Sequence, residues 1–293
     1  MQTSNKLADR SIGERSKKEY EYALLRYEAQ FGDWRTSNDE EIAEAMSQLF
    51  HKGLSTSTIN TFLAAIKYQA KTENVPVPIG DITRRTLAGI SRSPRMPKLG
   101  QAKPLTWEQS EFIADKCVKD GITGLRDACL IMVGSDALLR KSEMAAVNIE
   151  DIDFDTEGGL LNIRKSKTDQ KGRGQVMYLG DKTADFLKQW IAAAGIKEGA
   201  IFRPIYRKKV IDRRLSTRQL VRIITKRAHQ SGIDGIRGHS LRVGGAVSLA
   251  SLGASLVEMQ AAGNWKSPAM PAHYAAGESA KRGPVARYRY KKG

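Results

Sequence analysis

Cysteine is scarce in this chain of 293 residues, with only Cys117 and Cys129 present. Both stand outside any metal-ligand spacing and among apolar neighbours such as Ile113, Leu130 and Ile131. A disulfide scaffold is therefore excluded, and the pair is expected as buried thiols in a reducing compartment. No apolar run approaches the ~20 residues needed to span a bilayer, and the opening MQTSNKLADRSIGERSKK has no apolar signal-peptide region. The expectation is a cytoplasmic protein with no membrane partner. Internal repeats and low-complexity tracts are also missing. Acidic side chains are in short supply: 32 Asp and Glu against 48 Lys and Arg leave a formal charge of +16. Such an excess is more than a small-molecule enzyme requires, and for a soluble chain the economical polyanionic partner is nucleic acid.

What is present divides the chain in two. From Glu14 to about Ser91 apolar residues recur every three or four positions, as in Tyr20, Ala23, Leu24 and Tyr27, which predicts four or five short helices. Ser37-Asn38-Asp39-Glu40 has a capping-box form, and Ser55 or Thr56 can cap the helix of Ile59, Phe62, Leu63 and Ile66. Pro76 and Pro78 force a break after Asn74. Residues 91–104 then gather Pro94, Pro97, Gly100 and Pro104 with Arg92, Arg95, Lys98 and Lys103, the composition of a basic linker.

A second domain begins near Leu105, with Thr106 as a helix cap before Trp107, and reads as helical to about Val147. There the period changes from helical to alternating. Ile149, Ile152 and Phe154, then Leu160, Leu161 and Ile163, then Val176 to Leu179 beyond the turn DQKGRG, predict a small antiparallel sheet. Helices are expected again from Lys182 to about Ala276. The predicted fold class is mainly α: a helical domain over 1–90, a linker over 91–104, and a mixed, mostly helical domain over 105–293.

Chemistry-bearing residues concentrate in the second domain. His239 and Arg242, three apart at the start of an apolar helix, can reach one anion. Trp265 can add an indole N–H, and Tyr274, nine positions further on, is a side chain able to form a covalent intermediate. Together these types suit a phosphodiester held by cations and attacked by a phenol. Upstream stand Arg140 and Glu143 in Leu138-Leu139-Arg140-Lys141-Ser142-Glu143-Met144, and Lys167 lies where a strand meets its hairpin turn. Tyr288 and Tyr290 are rival phenols, but they sit in the basic tail ARYRYKKG, which has no apolar periodicity to hold a nucleophile. His273 is expected at the surface or in packing.

The order Arg-x-x-Glu, Lys on a hairpin, His-x-x-Arg, Trp and Tyr resembles the catalytic domain of the tyrosine site-specific recombinases, or phage-type integrases. Trp265, where many members have His, is most similar to the Cre-type branch. The N-terminal half, including Gly53 to Ile59, resembles the family's core-binding domain, and the basic linker falls at its interdomain connection. Two departures stand out. Leu139 precedes Arg140 where members commonly place Gly, so an altered turn or altered helix packing, rather than altered chemistry, is expected there. Gly263-Asn264-Trp265 replaces a frequent Leu-Gly-His, which removes proton transfer and keeps hydrogen bonding.

The resemblance implies a DNA recombinase that clamps duplex DNA at inverted-repeat sites and acts as a homotetramer through a Holliday junction. Arg140 and Arg242 would hold the non-bridging oxygens and Tyr274 would form a 3′-phosphotyrosine. Lys167 would protonate the leaving 5′-oxygen, with Lys165 and Lys171 as near rivals. His239 would accept the tyrosine proton or bind phosphate, Glu143 would orient it, and Trp265 would donate to phosphate. Bond energy is conserved, so neither cofactor nor metal is expected. Residues 275–293 are long enough for the exchange of a C-terminal segment between protomers that the family shows. The alternatives are a site-specific DNA binder that does not cut, and a type IB topoisomerase-like nicking and religation activity.

Overall fold

A computed structural model describes residues 12–93, 102–164, 174–281, 283 and 285–289. The chain forms two compact units, Met1–Leu99 and Gly100–Gly293.

The first unit is built of α1 (Glu14–Phe31), a 3₁₀ turn at Trp34–Thr36, α2 (Asp39–His51), α3 (Thr56–Glu73) and α4 (Asp81–Arg92). Its core is the apolar set that the helical period selects: Tyr27, Ile42, Met46, Leu49, Ile59, Phe62 and Ile66 are buried around a fully enclosed Trp34. The Ser55 cap falls where the sequence places it, whereas the capping box read at Ser37–Glu40 forms one residue later, between Asn38 and Glu41. Asn38 accepts from the Glu41 amide and Ser55 from that of Thr58, and α3 stops at Asn74 in the left-handed conformation. Helix α4 has no side-chain cap of its own. Instead Asp39 of α2 accepts from the amides of Gly80, Ile82 and Thr83 and from the Thr83 hydroxyl. Those bonds, led by the Thr83 hydroxyl, pull the Asp39 carboxyl down to about 2. Helix α4 runs to Arg92, past the point where the basic linker was expected to begin; residues 94–101 of that linker lie outside the described residues.

The second unit contains α5 (Trp107–Cys117), α6 (Gly121–Asp136), α7 (Lys141–Ala146), the three-stranded sheet β1 (Ile152–Phe154), β2 (Gly158–Ile163) and β3 (Gln175–Gly180), then α8 (Asp181–Ala194). After these come the hairpin β4 (Ile205–Tyr206) and β5 (Lys209–Val210), then α9 (Thr217–Gln230), α10 (Ser240–Ser251), α11 (Leu256–Ala262) and α12 (Ala269–Lys281). Helix α6 is apolar and buried nearly all round, as a central helix must be. Around it pack α5, α8, α9 and α10. Both cysteines are buried free thiols. The sheet is antiparallel in the order β1-β2-β3, with Ile152 opposite Leu161 and Leu161 opposite Met177 on the core face.

Two expectations about this unit need correction. Ile149 is not in a strand; it begins a 3₁₀ turn over Ile149–Asp151, fastened by the Asn148 amide donating to Asp151 at 2.8 Å. Nor is the chain helical throughout from Lys182 to Ala276, because the β4–β5 hairpin interrupts it. Its two turn residues are Arg207 and Lys208, both at positive φ, so the usual Asn-Gly signal for a hairpin is missing. The DQKGRG turn, apart from Gly174, lies outside the described residues. Among the described residues no helix is long and apolar enough to cross a membrane.

Candidate active site

Helix α6 ends at Asp136, and the chain doubles back through Ala137, Leu138 and Leu139 so that Arg140 becomes the N-cap of the short α7. The altered turn expected at Leu139 is in fact at Leu138, whose φ is +47°. That conformation suits glycine and costs a branched residue roughly 1–2 kcal/mol. Leu138 is held in it because its side chain fills a notch on α10: a Cβ on Gly245 would sit 2.8 Å from Leu138 Cγ. Glu143, one turn into α7, accepts from the Arg140 backbone amide at 2.8 Å and from its guanidinium at 2.6 Å. In the structure Glu143 therefore orients Arg140, whereas the sequence suggested His239.

Arg242 lies in the first turn of α10 and is buried. One of its terminal nitrogens donates to the Leu138 carbonyl at 2.6 Å and the other to the Gly263 carbonyl. Its guanidinium stacks over the Trp265 ring at 4.3 Å. The fit is close at Gly263, where an added Cβ would come within 2.0 Å of that ring. Tyr274, on α12, is partly buried against a small apolar cluster that includes Leu138, Ala246, Met259 and Trp265, with its ring centroid 6.0 Å from that of Trp265. So Arg140 and Arg242 are tied together through Leu138, and Arg242 and Tyr274 through Trp265.

Charge in this site is one-sided. Burial, then repulsion from Arg140, hold Arg242 down at about 10, while Glu143 and Tyr274 oppose the shift. His239, the N-cap of α10, is also pushed below its ordinary value, first by burial and then by Lys141, Arg242 and Arg140. An imidazole below 6.5 is neutral at pH 7 and can accept a proton or a hydrogen bond. Several cations facing one carboxylate make a site arranged to receive an anion.

Lys167, with its rivals Lys165 and Lys171, lies outside the described residues, as does Tyr290. Tyr288 is 82% exposed in the helical turn Val285–Arg289, in contrast to the packed Tyr274. His273 is exposed beside Tyr274. Sequence reasoning passed over the carbonyls of Leu138 and Gly263 and the charge of Lys141. A carbonyl has no residue-type signature, so only the oddity of Leu-Leu before Arg140 pointed to the first. Among the described residues no group of three or more His, Cys, Asp or Glu is placed to hold a metal ion.

The fold is one found in site-specific recombinases. A XerH recombinase bound to a palindromic difH substrate superposes with a TM-score of 0.70 at 17% identity, covering 93% of this chain and 79% of that one. A lambda integrase dimer bound to a COC′ core site gives 0.62 at 17% identity, covering 94% and 75%. The chain belongs to the phage integrase family, which matches residues 103–281. It is 32% identical to an integrase/recombinase xerD homolog of Selenomonas ruminantium over 178 residues, 58% of this chain and 52% of that protein. It is 24% identical to recombinase cre of Escherichia phage P1 over 254 residues, 79% of this chain and 74% of that protein. The first of these matches thus spans about half the relative's length.

Proposed function

We propose that this chain is a site-specific DNA recombinase that cleaves and rejoins duplex DNA through a 3′-phosphotyrosyl intermediate. The observation that carries this reading is the fixing of two guanidiniums, Arg140 and Arg242, from separate elements beside a packed phenol, Tyr274. In-line attack builds charge on the non-bridging phosphate oxygens, and forks held before the substrate arrives stabilise that charge without reorganising. The Tyr274 oxygen forms a bond to phosphorus as the bond to the 5′-oxygen breaks. The tyrosine proton passes to His239, which is neutral at pH 7, and the leaving 5′-oxygen takes a proton from Lys167. Resealing reverses these steps with a 5′-hydroxyl from the partner strand, so the energy of the phosphodiester is retained and no cofactor enters. Trp265 supports Arg242 with its ring face and has its indole N–H for phosphate.

In this reading residues 1–90 are a core-binding domain, 91–104 a basic linker along the backbone, and 105–293 the catalytic domain. Together they clamp an inverted-repeat site as a homotetramer that exchanges strands through a Holliday junction. Exposed Lys67 on α3 and Arg222 on α9 are candidates to face DNA, with Ser57 and Thr58. Thr58 is the weakest of these because it is engaged with the Ser55 cap. Exchange of residues beyond Gly283 between protomers predicts that their deletion abolishes tetramer assembly on DNA.

The decisive experiment compares the wild type with Tyr274→Phe on nicked suicide duplexes that carry candidate sites, scored on denaturing gels for covalent adducts. An adduct that disappears in the variant is expected. Tight binding without an adduct would mean a non-cutting binder. Relaxation of supercoiled DNA without strand exchange would mean a topoisomerase-like activity, and an adduct that persists in the variant would move the nucleophile to Tyr288 or Tyr290.

A further inference from the structure

The β4–β5 hairpin stands outside the site just described, and its construction is unusual. Tyr206 pairs with Lys209, which leaves a loop of two residues, Arg207 and Lys208, with φ of +47° and +63°. A loop of this kind selects Asn-Gly because both positions lie in the left-handed region. Two long cationic side chains there strain the backbone. They form no ion pair among the described residues; Arg207 lies 5.3 Å from the centroid of the Tyr206 ring, which is itself 64% exposed. Lys209 beside them is exposed too.

The base of the hairpin is as firmly tied as its tip is open. On the incoming side Arg203 donates to the carbonyls of Ala200 and Glu198 and pairs with Asp212. The Arg203 carbonyl in turn accepts from Arg126, whose partner Asp127 is bound to Arg227 of α9. On the outgoing side Arg214 donates to the carbonyls of Ala145 and Val147 and to the Asn148 side chain, at the end of α7. Helix α7 is the helix that Arg140 caps. Ile205 and Val210 pack their side chains on the main core. A strained turn that persists on a braced base is the arrangement found where the side chains at the tip have work to do.

We propose that this hairpin is a DNA-backbone contact: Arg207, Lys208 and Lys209 take phosphates of the duplex, and the Arg214 tie fixes their position relative to Arg140. The surface is built for a polyanion, since three adjacent cations on a rigid tip would repel one another without one. It rests on the recombinase reading above and adds a contact that the catalytic residues do not include.

The test uses the full chain, a mixed-sequence 40-bp duplex and the double variant Arg207→Asn/Lys208→Gly, which supplies the turn its preferred residues and removes two charges. Melting temperature should rise because the strain is relieved. Affinity for the duplex should fall, and the slope of log K against log salt should flatten by about 2, close to 0.9 for each phosphate no longer neutralised. Stability and affinity thus move in opposite directions, which a folding defect cannot produce. The control is Lys116→Gln/Lys119→Gln, which removes the same charge from the end of α5 and the turn after it. Equal losses of affinity in both double variants would reduce the hairpin to its share of net charge and overturn the proposal. An unchanged slope would do the same while leaving the recombinase reading intact, whereas a wild type that fails to bind the duplex at low salt would overturn both.

Discussion

The turn that carries Arg140 and the helix that carries Arg242 present like charges to one site, and they hold them by different means. Arg140 is balanced by a carboxylate: Glu143 grips both its backbone and its guanidinium, and the side chains are 17% and 6% exposed. Arg242 forms no ion pair with a carboxylate among the described residues, and Glu143 reaches it only through its field. Arg242 is enclosed between two carbonyls and a ring face, and its charge is costly enough to bring it down to about 10. Neutral dipoles can orient a guanidinium without cancelling the field it projects, whereas a carboxylate orients and cancels together. Arg242 is therefore the stronger source of positive potential at the site and the greater burden on folding.

The largest effect should come from separating these two properties of Arg242. Arg242→Lys keeps a charge but cannot span the Leu138 and Gly263 carbonyls while stacking on Trp265. Adduct formation should slow by about 10²–10³-fold, as when one preorganised donor to an oxyanion is removed. Arg242→Met fills the same space without charge, and it should be inactive with a thermal midpoint equal to or above the wild type, because the desolvation of an unpaired cation is relieved. A marked fall in the midpoint of Arg242→Met would mean that the carbonyl and ring contacts repay the burial, and the contrast with Arg140 would fail.

Leu138 comes next, since it serves both arginines. Replacing it with glycine removes roughly 1–2 kcal/mol of left-handed strain, yet it empties a side chain that is 1% exposed against the Gly245 notch. Truncations of buried leucine cost about 2–5 kcal/mol. The cavity should win, so Leu138→Gly is expected to lose about 1–3 kcal/mol in denaturant unfolding and to loosen Arg242. A gain in stability would show that strain dominates.

Much of this is legible in the sequence. The 3.6-residue period selects Tyr27, Ile59, Phe62 and Ile66, and each is buried. Ser55 and Thr106 cap where short polar side chains should, and the box read at Ser37 is shifted by one residue to Asn38. The alternating stretch from Ile152 to Leu179 forms the sheet. The β4–β5 hairpin escapes notice because its turn uses Arg-Lys, a pair with no turn preference. At the site, side-chain types tell which chemistry is available, and the order of residues tells which family to compare. The tie between Arg140 and Arg242 is illegible because it is made by the Leu138 carbonyl, which every residue has. Trp265 reads as an N–H donor, yet the structure uses its face, because a stacking partner is set by the packing of α10 against the Gly263 turn rather than by residue type.

His239 gives the smallest and most selective test, because it reports the combined field of Lys141 and both arginines without being required for either arginine to be placed. Its folded value lies below 6.5, first from burial and then from Lys141, Arg242 and Arg140. A base with a depressed pKa binds its proton more readily when unfolded. Protonation therefore favours unfolding, and stability falls as pH drops through about 6.5 toward the folded value. Relative to the wild type, His239→Gln should lack this decline, so their midpoints should converge or cross below about pH 6.5. The imidazole resonances should titrate below the ordinary value in the wild type and move back toward it in Arg242→Met, because that variant removes a cation and leaves Glu143 in place. A shift of equal size in Lys141→Gln alone, with none in Arg242→Met, would assign the field to Lys141 and refute the claim that an arginine oriented only by dipoles projects the stronger potential.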